Sequence, residues 1–288
     1  MSSINTNSSA MLALQSLSAT NKALGTTQSR ISTGLRVAEA SDNAAYWSIA
    51  TTMRSDNKAF SAVQDALGLG AGKIDTAYTA MNKAIEVVDQ IKAKAITAVS
   101  SSDEDRGKIQ TEIEALKGQL NSIAVGANYA GSNLLATDTA ADLTIVASYN
   151  RDTTGAVSMG YITVAASTGM HLTNAAGDDA TGAILEKVMD LDVSTAPSDT
   201  ELNDIEDTLK NMATAAANLG AAKTRIDMQK DFVSKLTDSV ERGIGQLVDA
   251  DMNKESARLS ALQVQQQLGI QALSIANSNS QNILSLFR

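Results

Sequence analysis

The chain contains no cysteine, which excludes a disulfide framework, thiolate metal sites and cysteine nucleophiles together. Its single histidine, His171, removes His-rich zinc sites and leaves little for histidine-based catalysis. With one proline and 3% aromatic residues against 43% apolar overall, any core is built mainly from Ala, Leu, Ile and Val, a composition suited to closely packed helices. No run of eighteen uncharged apolar residues exists, so no membrane-spanning helix is expected. Met1 to Gly25 is rich in Ser, Thr and Asn, and the first charged side chain is Lys22. That pattern lacks the basic start and compact apolar stretch of a secretory signal, leaving the cytoplasm or an export route without a cleaved signal. Basic side chains are the minority, 23 against 32 acidic, for a net charge of −9, which argues against binding to nucleic acid or anionic lipid.

What the sequence does have is periodicity. Stepping by seven from Tyr46 gives Met53, Phe60, Leu67, Ile74, Met81, Val88 and Ala95. Ile49, Val63, Ala77, Ala84, Ile91 and Ala98 fall three residues after members of that series. This is an a/d seam over about fifty residues. After a break at Ser100 to Ser102 a second seam runs Ile109, Ile113, Leu116, Leu120 and Ile123, and Ser101 with Glu104 predicts a capping box that restarts the helix. In the second half of the chain Ile205, Met212, Leu219, Ile226, Val233, Val240 and Leu247 keep the same step, although Lys223 and Lys230 interrupt the companion series. Three such seams must bury against one another, the first two as antiparallel neighbours.

The expected fold is therefore mainly α: a long antiparallel coiled-coil helical bundle formed by both termini, with a small β-containing insert. From about 137 to 196 the heptads vanish. Leu143 to Tyr149 and Met159 to Val164 read as strands, and a short helix is expected near Ala180 to Leu191. This insert is the only part expected to hold strands, and it looks like a domain grafted onto a loop. The two ends carry Leu, Ile, Ser, Thr, Asn and Gln but few charges, and weak helices of that kind are marginal alone. Each end looks like half of something that orders on a partner.

Candidate chemical sites fail on inspection. Gly68, Gly70, Gly72 and Lys73 lack the spacing and the following Ser or Thr of a phosphate loop, so small residues at a close helix approach explain them better. Asp190, Asp192, Ser194 and Glu201 occupy positions of a calcium loop, but Thr195 stands where glycine is needed and Pro197 falls inside. Ser198 and Glu201 instead predict a capping box. The carboxylates are spread along helix faces and do not converge as acid/base work requires. No catalytic, cofactor or metal site is expected, and the protein is read as a non-enzyme.

Two blocks of sequence carry a resemblance. Gln28-Ser29-Arg30-Ile31-Ser32-Thr33-Gly34-Leu35-Arg36-Val37 leads into Ala40-Ser41-Asp42-Asn43-Ala44-Ala45. Near the other end Ala250-Asp251-Met252-Asn253-Lys254-Glu255-Ser256-Ala257-Arg258-Leu259 precedes Gln265-Gln266-Gln267 and Asn282-Ile283-Leu284-Ser285-Leu286-Phe287-Arg288. Together they resemble bacterial flagellin, of the short-insert type found in alphaproteobacteria. The bulky Tyr46-Trp47 pair departs from the small residues many members carry there.

The resemblance implies a structural subunit that polymerises with copies of itself, head to tail and laterally, into the helical flagellar filament used for swimming. It implies an inner coiled-coil domain of residues 1–40 and 249–288, a bundle of 41–136 and 197–248, and an outward-facing insert of 137–196. Polymerisation would rest on Leu14, Leu17, Leu24, Ile31, Leu259, Leu262, Leu268, Leu273, Ile275, Ile283, Leu284 and Leu286. Gly34, Arg36, Ser41 and Asp42 would form the connector, with Asp42 or Ser41 capping the next helix.

Further partners implied are the flagellar cap, junction proteins and an export chaperone, with secretion through the flagellar type III channel and no nucleic acid or membrane insertion. Members detected by the vertebrate Toll-like receptor carry a segment like Gln-Arg-Val-Arg-Glu-Leu-Ala-Val. Here Asp89 to Ile96 corresponds, with Gln90 and Lys94 replacing its arginine and leucine and with Glu112 or Glu114 left to offer an acidic contact. Weak or no receptor activation is expected. A hook-filament junction protein and a coiled-coil signalling protein are the alternatives.

Overall fold

The computed structural model describes residues 7–136, 142–164, 171–173 and 183–285, with side chains of the last helix described to residue 278. Six α-helices and four strands are present among them: α1 (Ser8–Thr33), α2 (Ala44–Val99), α3 (Asp103–Gly126), β1 (Asn128–Tyr129), β2 (Ser132–Asn133), β3 (Leu143–Arg151), β4 (Val157–Val164), α4 (Glu186–Met189), α5 (Asp199–Val248) and α6 (Met252–Ser285). The chain is mainly α, with long helices toward both ends and two small two-stranded sheets, β1–β2 and β3–β4, between them in sequence. At 1.5 Å per residue, α2 is roughly 84 Å long and α5 roughly 75 Å. The chain divides into two compact units, residues 1–57 with 238–288, and residues 58–237.

In the second unit the heptad seams become the core. Leu67, Ile74, Met81, Val88 and Ala95 of α2 are buried with Val63, Ala77, Ala84, Ile91 and Ala98. Ile113 and Leu120 of α3 and Ile205, Met212, Leu219, Ile226 and Val233 of α5 close the cluster. Lys92 pairs with Glu206, and Lys223 reaches Asp75 at 2.5 Å. A Cβ on Gly220 would lie 3.6 Å from Tyr78. The residue numbers in each pair have the same sum, so α2 and α5 run antiparallel without a register slip. Lys223, which interrupts the apolar companion series, thus spans to the neighbouring helix instead of entering the core.

The α2–α3 break is capped one residue later than the sequence suggests. Ser102, not Ser101, is the N-cap, its hydroxyl accepting from the Asp105 amide at 3.4 Å, and three acidic residues follow in the first turn where the helix dipole favours them. The Ser198 box is present in reciprocal form. The Ser198 amide donates to Glu201 Oε2 at 2.6 Å, and the Glu201 amide donates to Ser198 Oγ at 3.4 Å.

Two features of the middle differ from expectation. A short hairpin, β1–β2, lies outside the insert, turning at Ala130 (φ 51°) and Gly131 (φ 82°) with the Gly131 amide held by Asn128 Oδ1 at 2.8 Å. The insert also shares the bundle's core. Ile145, Ala147, Ile162, Val164, Leu172, Leu185, Val188, Leu191 and Val193 are buried in the same cluster as the helices. Lys117 Nζ of α3 donates to the Met189 and Leu191 carbonyls, both at 2.6 Å, and Gln229 Nε2 of α5 donates to the Ala147 carbonyl at 2.9 Å. The β3–β4 hairpin pairs Leu143 with Val164 through Arg151 with Val157, with a bulge between Val146 and Ser148.

Candidate assembly surface

In the first unit α1 and α6 lie side by side. Asn7 caps α1, its Oδ1 accepting from the Ala10 amide at 3.0 Å while its Nδ2 donates to the Ala276 carbonyl at 2.9 Å. Farther along, Gln266 Nε2 donates to Asn21 Oδ1 at 2.7 Å, and Arg30 pairs with Glu255 at 3.4 Å. Gly269 admits Leu17, whose Cδ1 would lie 3.2 Å from an added Cβ. These pairings make the two helices antiparallel.

The pair buries little. Thr27, Leu262 and Glu255 are its buried side chains among the described residues. Leu17, Leu24, Ile31, Leu259 and Leu273 are half-buried. Leu14, Leu268 and Ile275 are 58%, 58% and 61% exposed. The expected polymerisation residues therefore divide between the contact of α1 with α6 and the solvent-facing surface. Ile283 and Leu284 lie within α6 but outside the described side chains, and Leu286 lies outside the described residues. Met11, Leu12, Val264 and Ile270 are exposed as well and are not among the residues singled out from sequence. No charged side chain occurs between Arg258 and Arg288, so no charge marks one face of α6 from another.

The connector is built by backbone pairing. Gly34 ends α1 in the left-handed region (φ 71°), its amide donating to the Arg30 carbonyl, a conformation that side chains with a Cβ resist. Leu35 and Asp249 form an antiparallel bridge, the Ala250 amide donates to the Gly34 carbonyl at 2.9 Å, and the Arg36 amide donates to the Val248 carbonyl at 2.7 Å. Arg36 Nη2 adds a bond to the Leu247 carbonyl at 2.9 Å. Neither Ser41 nor Asp42 caps α2. That place is taken by Asn43, whose Oδ1 accepts from the Tyr46 amide at 3.1 Å. Asp42 instead folds back to accept from the Ala38 and Glu39 amides at 3.0 and 3.2 Å, and those bonds, with that from Glu39 the larger, hold its carboxyl below the usual aspartate value. Ser41 Oγ donates to Glu39 Oε2 at 3.2 Å.

On the bundle, Gln90 is exposed on α2, and Lys94 pairs with Glu112 at 2.5 Å. Glu114 accepts from Gln110 Nε2 at 3.2 Å. The glycines considered as a phosphate loop sit inside α2. A Cβ at Gly70 would fall 2.5 Å from Ile145, and one at Gly72 2.6 Å from Tyr129, so both admit the hairpins; nothing lies within 4 Å of Gly68. Asp192 accepts from the Ser194 amide at 2.8 Å, and that bond lowers its pKa. No cluster of three metal-ligating side chains occurs among the described residues. His171 is half-buried, its carbonyl accepting from the Ile184 amide. Among the described residues, no helix is long and apolar enough to cross a membrane.

Residues 4–140 match the bacterial flagellin N-terminal helical region, and residues 202–287 match the bacterial flagellin C-terminal helical region. The chain is 59% identical to a flagellin of Brucella melitensis and 47% identical to flagellin C of Rhizobium meliloti, in both cases over the whole of each chain. The structure of a flagellar hook-associated protein from Vibrio parahaemolyticus aligns with a TM-score of 0.55 at 16% identity, covering 72% of this chain and all of that one. At that identity the likeness concerns the fold alone.

Proposed function

The chain belongs to the bacterial flagellin family, and from that premise we propose a division of labour in which α1 and α6 carry polymerisation and the second unit carries stability. It is a structural subunit of the flagellar filament, which serves motility. The observation that supports the division is the pairing of two nearly uncharged helices that bury little between them and leave Leu14, Leu268 and Ile275 in water. Burial of that surface against further copies supplies a hydrophobic gain the single chain lacks. Contacts of one patch with a different patch on the next copy build an open helix when the rotation between copies does not close a ring. In this arrangement residues 1–40 and 249–288 form the inner layer, 41–136 and 197–248 the bundle, and 137–196 the surface of the filament. Seeded growth followed by electron microscopy tests the reading: long tubes are expected, and short caps or no polymer would contradict it.

Export through the flagellar channel, an export chaperone, the cap and the junction proteins complete the proposed set of partners, placing the protein outside the cell. Toll-like receptor activation is proposed to be weak. Gln90 lacks the charge of an anchoring arginine, a loss that costs about 2 kcal/mol or more at a hot spot. Lys94 in a leucine-sized pocket would also have to be desolvated, at about 1–3 kcal/mol. An acidic contact from Glu112 or Glu114 contributes at most about 1 kcal/mol at a surface and cannot offset both losses. A reporter-cell dose-response should show low potency, partly restored by Gln90→Arg with Lys94→Leu. Potency equal to that of a strongly detected flagellin would overturn this part.

A further inference from the structure

We infer that Tyr46, Trp47 and Ile49, on the first turns of α2, form a docking patch for a helix of a second copy of this chain. The inference rests on the reading that the protein polymerises with itself. These three side chains are 42%, 36% and 50% exposed, although Tyr46 and Ile49 hold a and d positions of the register that is buried farther along the helix. Within the first unit the same register passes through Met53, which is packed against the small core of Val37, Ala50, Ile244 and Val248, with its Cε 3.1 Å from an added Cβ on Gly243. The apolar stripe is thus continuous from a covered part to an uncovered one. A seam position exposed at a helix end calls for another helix.

The chemistry around the patch agrees. No charged side chain lies between Asp42 and Arg54, and Ala44 through Ile49 are all exposed. Charge depletion with aromatic enrichment marks the core of a protein interface rather than a solvated face. The uncharged stretches of α1 and α6 belong to the same unit, so the patch shares its character with the surface assigned above to polymerisation. Since the family assembles from copies of one subunit, the covering helix comes from a second copy.

The chain contains one tryptophan and no thiol, which makes the test direct. Acrylamide quenching of Trp47 should fall roughly threefold or more, with a blue-shifted emission, when monomers are seeded into filaments, because an interface core excludes water. Ile49→Cys labelled with a benzophenone maleimide should give covalent dimers on irradiation of filaments and none from monomers. Tyr46→Ser with Trp47→Ser should raise the critical concentration roughly tenfold or more while leaving the monomer's melting transition in place, since neither side chain is buried. Filaments with unchanged Trp47 quenching, or with adducts only within one chain, would overturn the patch and leave the filament subunit intact. Failure of the unaltered protein to extend seeds would overturn the assembly reading and the patch with it.

Discussion

Gly34 and Asp42 show how single residues fix the connector. At φ 71° a Cβ costs about 1–2 kcal/mol, so Gly34→Ala is expected to speed amide exchange in α1 and around the Leu35–Asp249 bridge while leaving the second unit unchanged. Asp42 acts through charge. Its carboxylate accepts two backbone amides and its folded-state pKa is lowered. The stabilisation it gives is therefore complete above the unfolded aspartate value and is lost as pH falls through the lowered folded value. A carboxyl titration of Asp42 by NMR should show a midpoint below that of an unstructured aspartate, and Asp42→Ala should remove the acid-dependent loosening of the 38–42 turn. A midpoint at the ordinary value would mean that the two amide bonds do not hold in solution.

The α5 capping box and the insert stabilise the second unit in separate ways. Ser198→Ala removes the oxygen that receives the Glu201 amide and should cost about 1 kcal/mol, a fall in Tm of roughly 2–4 °C for a unit of this size, readable by circular dichroism. Replacing residues 142–195 with a Gly/Ser linker is a larger change. It removes Ile145, Ile162, Leu172, Leu185 and Val188 from a shared core, each worth about 1.5–3 kcal/mol, against a total domain stability of about 5–15 kcal/mol. Loss of the cooperative melt is expected, and an unchanged Tm would show that these residues add nothing to the bundle.

The seams of α2, α3 and α5, the β3–β4 strands and the Ser198 box were legible because periodicity and cap chemistry are local. Other features were not. Periodicity tells which face is apolar but not what covers it, so Tyr46 and Ile49 read as core. Two-residue strands such as β1 and β2 leave no pattern. Asp42 and Asn43 are both good caps, and only the folded turn, where the amides of Ala38 and Glu39 claim Asp42, leaves the cap to Asn43. On α6 the absence of charges likewise concealed that Val264 and Ile270 are exposed while Leu262 is buried.

Along the full chain, charge is unevenly divided. By sequence, residues 1–57 and 238–288 balance eight acidic side chains with eight basic ones, so residues 58–237 carry the entire net charge of −9. Neutral surfaces pack without repulsion, whereas like-charged units resist close approach until salt screens them, with a Debye length of about 30 Å at 0.01 M and about 8 Å at 0.15 M. Seeded elongation followed by light scattering should therefore quicken as salt rises over that range. Slower growth would mean that complementary charges, not apolar helices, draw the copies together. Truncation separates polymerisation from bundle stability. Deleting residues 1–31 or 259–288 should leave the main thermal transition of the bundle within a few degrees of the full chain while abolishing growth from seeds in electron micrographs. Filaments of normal length from either truncation would contradict the assignment of polymerisation to the terminal helices.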